Sequence, residues 1–205
     1  ITLEKDVIKL SDHVVVTTSL MFDTISEQYP DVKGKISIIP NFVDTSIFKP
    51  NPSIEKRFDI IFIGRFEPQK NLFSLLDALS TTELKVLMVG SGSQERELKK
   101  KFNYENSSIE WKENIPNTEL PNYLNQSKIF VLPSLYEGHP KVLIEAMASG
   151  TPVLAANSPG IKEIITHSEN GYLCSTDKID IRKAINDILK KIEETKDQFS
   201  EDFGD

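Results

Sequence analysis

The sequence predicts an α/β protein built on a doubly wound parallel sheet. Three observations carry that prediction. Short runs rich in β-branched residues recur across residues 58–174, the runs are continuously apolar, and segments of helical period separate them. Continuous apolar runs suit strands buried on both faces, which is the condition of a parallel sheet covered by helices. Strand and helix alternating in this way give a doubly wound architecture.

The strands are expected in DIIFIG (59–64), LKVLMVG (84–90), IEW (109–111), KIFVLP (128–133) and TPVLAA (151–156). Between the first two, Leu72, Leu75, Leu76 and Leu79 fall at i, i+3, i+4 and i+7, a single helical stripe. Segments 94–102, 117–126 and 140–149 supply the other intervening helices. A final helix is expected over 178–194, with Ile181, Ala184, Ile185, Ile188, Leu189 and Ile192 on one face. The polar tail 195–205 is expected to fray. At the front, HVVVTTS (13–19), a helical stretch near 19–29 and KISIIP (35–40) read as a further strand–helix–strand unit. NFVDTSIFKPNPS (41–53) has neither period, so 41–57 reads as a linker between a remnant of a preceding domain (1–40) and the main domain (58–194).

Composition narrows the function classes. The 205 residues carry 31 acidic and 24 basic side chains, a formal charge of −7, which argues against nonspecific nucleic-acid binding. The hydrophobic content of 39% and charged content of 27% fit a globular chain and argue against disorder. One cysteine, Cys174, excludes an intrachain disulfide framework and fits a reducing, cytoplasmic compartment. No apolar run approaches the ~18 residues of a membrane span. The chain starts at Ile1 without Met or a signal pattern, and reads as a piece of a larger protein.

A doubly wound sheet binds ligands in the loops at the carboxyl ends of its strands. In GRFEPQKNLFSLL (64–76), Gly64 ends a strand, Arg65 follows, and Lys70 precedes a helix that Asn71 could cap. Two cations beside a helix N-terminus suit a phosphate group; the alternative is an ordinary solvated loop. In LPSLYEGHPKVLIEAMASGTPVLA (132–155), Glu137 lies in the loop and Glu145 lies in a helix apolar nearly all round. A carboxylate buried there costs several kcal/mol unless paired or neutralised. A hydroxyl-rich ligand would give both carboxylates donors. The alternative partner is Lys141 at i, i+4, a pair worth only ~0.2–0.5 kcal/mol.

These segments resemble family 4 of the retaining glycosyltransferases, which have the two-domain GT-B architecture. EGHPKVLIE (137–145) is similar to the family's Glu-x7-Glu motif, GRFEPQKN (64–71) to its Gly-Arg…Lys loop, and IPNFVDTSIFKP (39–50) to the stretch joining its domains, with Phe42 where Gly is usual. The resemblance implies a Rossmann-like, C-terminal donor-binding half. It implies that Arg65 and Lys70 bind the nucleotide diphosphate beside Gly64, that Glu137 contacts donor-sugar hydroxyls, and that Glu145 holds the ribose. Main-chain N–H groups of Gly138, His139, Lys141 and Val142 would line the sugar and phosphate; Pro140 has none to give. Asn114 and Ile115 would contact the base, with Glu113 replacing a common Gly.

The other candidates carry less. Gly90-Ser91-Gly92 reads as a tight turn near the base, and Ser158-Pro159-Gly160 as a turn before Glu163. His13 is assigned no role, His167 and Cys174 read as structural, and three histidines and one cysteine at unrelated spacings make no metal site. The implied activity is transfer of a sugar from a nucleotide diphosphate sugar to an acceptor hydroxyl with retention of configuration, Arg65, Lys70 and Glu137 being the catalytic set. No cofactor or metal is expected, because the cations neutralise the leaving group. The acceptor, a glycan or glycolipid, would meet the missing N-terminal domain, and with it the inner face of the membrane as a peripheral contact; the isolated piece is expected to be inactive. A GT-B sugar-nucleotide epimerase and a non-catalytic nucleotide-sugar-binding subunit remain as rival readings.

Overall fold

The computed structural model describes residues 2–102, 108–113 and 115–202. Its first unit runs α1 (Thr2–Leu10), β1 (Val14–Val16), α2 (Ser19–Gln28), a 3₁₀ turn and β2 (Ile36–Ile38). β1 and β2 pair in parallel, so the strand–helix–strand reading of this segment is correct and α1 is an element that the pattern did not reveal. Thr18 caps α2: its backbone is extended and its hydroxyl accepts from Met21 N at 3.1 Å, satisfying one of the donors a helix start leaves open. Ile8, Val16, Tyr29, Val32 and Ile36 form a small core of their own.

The main sheet has β3 (Phe58–Ile63), β4 (Val86–Val89), β5 (Ile109–Lys112), β6 (Ser127–Leu132), β7 (Val153–Ala156) and β8 (Tyr172–Cys174). Its spatial order is β5-β4-β3-β6-β7-β8, parallel throughout. The helices are α3 (Leu72–Leu79), α4 (Glu95–Phe102), α5 (Leu120–Asn125), α6 (Lys141–Ala148) and α7 (Lys178–Asp202). From β3 the chain steps outward to β5, returns to the centre as β6, then steps the other way. Right-handed crossovers in opposite directions place their helices on opposite faces. Accordingly α3 packs against α4 and α7, and α5 against α6. With both faces covered, β4 and β7 are buried at every position and β3 and β6 at all but one, which is why the runs are continuously apolar.

Element edges differ from the sequence reading in three places. β7 begins at Val153 because Pro152 has no N–H for the ladder; its carbonyl instead accepts from Phe130 N at 2.9 Å. β8 is a three-residue edge strand, too short to show a period. α7 continues to Asp202, through residues read as a fraying tail, because the apolar stripe ends at Ile192 while the polar residues beyond remain good helix formers. Among the described residues no helix is long and apolar enough to cross a membrane.

Residues 41–57 form no helix or strand, yet they are held firmly. Phe48 is 4% exposed in the main core. Asn125, also buried, accepts from Asn51 N at 2.7 Å and donates to Lys49 O at 3.1 Å and Pro121 O at 2.8 Å. Asn125→Ala strands these backbone groups, each at about 1–3 kcal/mol. The expected result is a loss of roughly 2–4 kcal/mol of unfolding free energy, measured as a lower urea midpoint with an unchanged slope.

Candidate functional site

The strand order reverses between β3 and β6, and the two loops leaving their carboxyl ends, 64–71 and 133–140, flank the crevice that such a reversal opens. The first loop is pinned by Phe66. Its ring is 1% exposed and packs on Phe62 and edge-on against Trp111, with centroids 6.1 and 5.8 Å apart. Its N–H donates to Ser91 O at 2.8 Å and its carbonyl accepts from Gln94 N at 2.9 Å. A Cβ on Gly92 would stand 2.6 Å from that carbonyl, so the Gly-Ser-Gly turn makes room for the Phe66 backbone. With Phe66 inward, its neighbour Arg65 is exposed, and among the described residues Arg65 makes no hydrogen bond or ion pair. Glu67 is held by Ser93 N and Oγ at 3.0 and 2.5 Å, and those bonds keep its carboxyl below the usual range.

Asn71 departs from its expected role. It does stand at the start of α3, but in the left-handed conformation (φ 55°), and its side chain donates to Thr176 O at 2.9 Å instead of capping the helix.

The two loops are stitched together. Leu135 N donates to Gln69 O at 2.9 Å, and Gln69 Nε2 donates to Tyr136 O at 2.6 Å and weakly to Glu137 Oε2 at 3.5 Å. Lys70 Nζ meets Glu137 Oε1 at 2.5 Å, with side chains only 12% and 8% exposed. The residues read separately as a phosphate ligand and a sugar ligand are thus each other's partners. Glu137 N donates to Pro159 O at 3.0 Å. Gly160 lies beneath at φ 82°, where a Cβ would fall 2.1 Å from Glu137 O; only glycine fits there.

After Glu137 the main chain turns into α6. Among the described residues the N–H groups of Gly138, His139, Lys141 and Val142 have no hydrogen-bond partner, and Pro140 at the cap position offers no side-chain substitute. An unsatisfied helix start carries partial positive charge. His139 has its Nδ1 buried without a partner among the described residues, and burial lowers its pKa against the opposing pull of the Glu163 carboxylate. The connecting stretch reaches this loop directly, Asn41 Nδ2 donating to His139 O at 2.5 Å, while the first unit meets the main domain farther along, where Glu163 Oε2 accepts from Ser19 N at 3.0 Å.

Glu145 is 9% exposed on α6, and burial raises its pKa, with Lys141 pulling the other way. No ion pair joins it to Lys141; its partner is Asn117 Nδ2 at a long 3.4 Å. Ile115 lies with Gly64, Arg65, Gly90 and Ser91 around an open cavity of about 260 Å³. Asn114 lies outside the described residues. The sequence reading missed Gln69, Asn41 and Asn117, polar loop residues whose partners are distant in the chain. Cys174 is buried, its thiol pushed up to about 12 by burial and by Asp180, and His167 Nδ1 accepts from Leu173 N at 2.9 Å; both serve the fold. Among the described residues no three His, Cys, Asp or Glu side chains cluster to hold a metal.

The family model for glycosyl transferases group 1 matches residues 43–202. An uncharacterized glycosyltransferase of Haemophilus influenzae is 32% identical over 186 residues, covering 83% of this chain and 52% of its own length. The UDP-Gal:alpha-D-GlcNAc-diphosphoundecaprenol alpha-1,3-galactosyltransferase of Escherichia coli is 31% identical over 182 residues, covering 76% of this chain and 45% of its own. Among solved structures, sucrose-phosphate synthase from Thermosynechococcus elongatus shares the fold at a TM-score of 0.80 and 24% identity, over 92% of this chain and 52% of that one. The chain spans about half the length of the curated relatives it matches.

Two outcomes follow from the electrostatics. Lys70→Met leaves the Glu137 carboxylate largely buried without its cation, at a cost of about 3–5 kcal/mol; adding Glu137→Gln should recover part of that loss, and chemical denaturation of the single and double variants reads the coupling. Glu145 behaves oppositely. Its raised pKa means that folding favours the protonated form, so ionisation costs stability as pH rises through the carboxyl range. Glu145→Gln should therefore raise the melting temperature at pH 7 by roughly 2–4 °C, as ~1 kcal/mol does in a chain this size. The gain should vanish below the ordinary carboxylate range, where Glu145 is protonated in both states.

Proposed function

The chain belongs to the glycosyl transferases group 1, and on that premise we propose that it is the donor-binding half of a retaining glycosyltransferase of glycan or glycoconjugate synthesis. The reaction moves a glycosyl group from a nucleotide diphosphate sugar to an acceptor hydroxyl. One observation carries the reading: among the described residues, exposed Arg65 on the loop after β3 and four main-chain N–H groups on the loop after β6 have no hydrogen-bond partner, and the two loops leave the strands at which the order reverses. Such fixed donors suit a diphosphate, and they act most strongly where negative charge grows as the glycosidic bond breaks.

In this reading Arg65 and Lys70 take the diphosphate beside Gly64, and Gly138, His139, Lys141 and Val142 line it with main-chain donors. Glu137 takes sugar hydroxyls. Glu145, buried with one long hydrogen bond, takes the ribose hydroxyls, which gives its carboxylate the donors it lacks. The cavity between Gly64, Gly90 and Ile115 receives the base. Supporting a uridine diphosphate donor, the Escherichia coli relative carries UDP-Gal in its name; supporting a lipid-linked or glycan acceptor is the same name. The cations of the crevice supply the charge neutralisation, so the reading requires no metal. The acceptor would meet the half of the protein that lies outside this chain, and the buried single thiol accords with a cytoplasmic setting.

Arg65→Ala in the complete enzyme should lower the transfer rate by roughly 100-fold or more, the effect of losing one preorganised charge contact. The fold should be unaffected, since Arg65 is exposed and makes no hydrogen bond or ion pair among the described residues. Donor-dependent transfer assays with circular dichroism check this; a wild-type rate would remove the diphosphate assignment.

A further inference from the structure

The Lys70–Glu137 pair has a consequence for which ligand the site prefers. Among the described residues Lys70 Nζ has Glu137 Oε1 as its one partner, at 2.5 Å. Beyond Lys70, the Glu137 carboxylate has only the 3.5 Å contact from Gln69 among the described residues, and its side chain is 8% exposed. Arg65, in contrast, is exposed and unpaired. An incoming diphosphate can therefore engage Arg65 and the free N–H groups with no intramolecular bond lost. It can recruit Lys70 only by drawing it away from Glu137. That leaves a carboxylate with little access to water, facing an anion, and without its cation, a costly arrangement unless new donors reach it. A bare nucleoside diphosphate brings none there. A sugar attached to the diphosphate brings hydroxyl donors, and a carboxylate accepting from hydroxyls is compensated by charge-assisted bonds.

We propose that Glu137 competes with the diphosphate for Lys70 and thereby makes the site select an intact nucleotide sugar over the bare nucleoside diphosphate. The proposal rests on the donor-site reading above and adds a specificity role to Glu137 within it. It also gives the product a route out: once the sugar has left, the hydroxyl donors leave with it, and Lys70 returns to Glu137 at the expense of the diphosphate. Gln69 assists by tying the Tyr136 carbonyl, and hence the Glu137 backbone, to the loop that carries Lys70.

The test is calorimetric titration of UDP, GDP and ADP, and of UDP-glucose, UDP-galactose, GDP-mannose and ADP-glucose, into the wild-type chain, Glu137→Gln, Lys70→Ala and the double variant. Glu137→Gln keeps the size of the side chain but releases Lys70. It should bind the preferred nucleoside diphosphate about tenfold more tightly than wild type and the corresponding nucleotide sugar about tenfold less tightly. Lys70→Ala in the Glu137→Gln background should abolish the gain. Glu137→Ala, which frees Lys70 equally, should show the same tightening, and a larger ligand-induced rise in melting temperature than wild type. If Lys70→Ala weakens nucleoside diphosphate binding while Glu137→Gln leaves it unchanged or weaker, the competition is refuted and the donor site stands. If none of these ligands binds wild type or Glu137→Gln, the donor-site reading itself falls.

Discussion

Everything at this site depends on the reversal of strand order between β3 and β6. Crossovers that run right-handed in both directions from the centre carry their helices to opposite faces, so no helix closes over the carboxyl ends of the two central strands. The loops that leave those ends must then support one another. They do so through the Gln69 bonds, the Lys70–Glu137 pair and the Glu137–Pro159 bond. The apolar interior makes that support effective. Phe66 is locked between Phe62 and Trp111, and its burial determines that Arg65 next to it faces outward.

The charges in the crevice are arranged in two ways. Arg65 and the head of α6 are positive and unsatisfied; Lys70 and Glu137 are satisfied by each other; Glu145 is negative, buried and poorly satisfied. A chain optimised for stability alone would not keep a carboxylate at Glu145 with a single 3.4 Å hydrogen bond, nor leave four main-chain donors unpaired beside it. Both features make sense where a ligand rich in phosphate oxygens and hydroxyls completes them. The connecting stretch touches the same loop through the Asn41–His139 bond, and the first unit meets the main domain through Ser19 and Glu163, so a shift of the chain before residue 58 would be felt at His139.

The architecture was legible because continuous apolar runs and the Leu72–Leu79 stripe are local patterns with strong periods. Arg65, Glu137 and Glu145 were legible for a related reason: charge is conspicuous at a strand end or on an apolar helix. What the sequence concealed is non-local. Nothing in residues 64–71 announces that Lys70 reaches Glu137, since the partners are 67 residues apart. Asn71 has the composition of a cap, yet the left-handed turn needed to deliver Lys70 rotates its side chain toward Thr176. β8 escaped because three residues show no period, and the last turns of α7 because helix propensity without an apolar face looks like a tail.

The central claim is that the crevice at the reversal point receives a nucleoside diphosphate group on the head of α6. Amide resonances of Gly138, His139, Lys141 and Val142, followed by heteronuclear NMR while nucleoside diphosphate is titrated, test it most directly. The account predicts that these four amides shift together, saturably and with a single dissociation constant, alongside Gly64 and Arg65. Saturable shifts confined instead to the cavity at the opposite end of the sheet, around Leu76, Leu84 and Ile109, would contradict it.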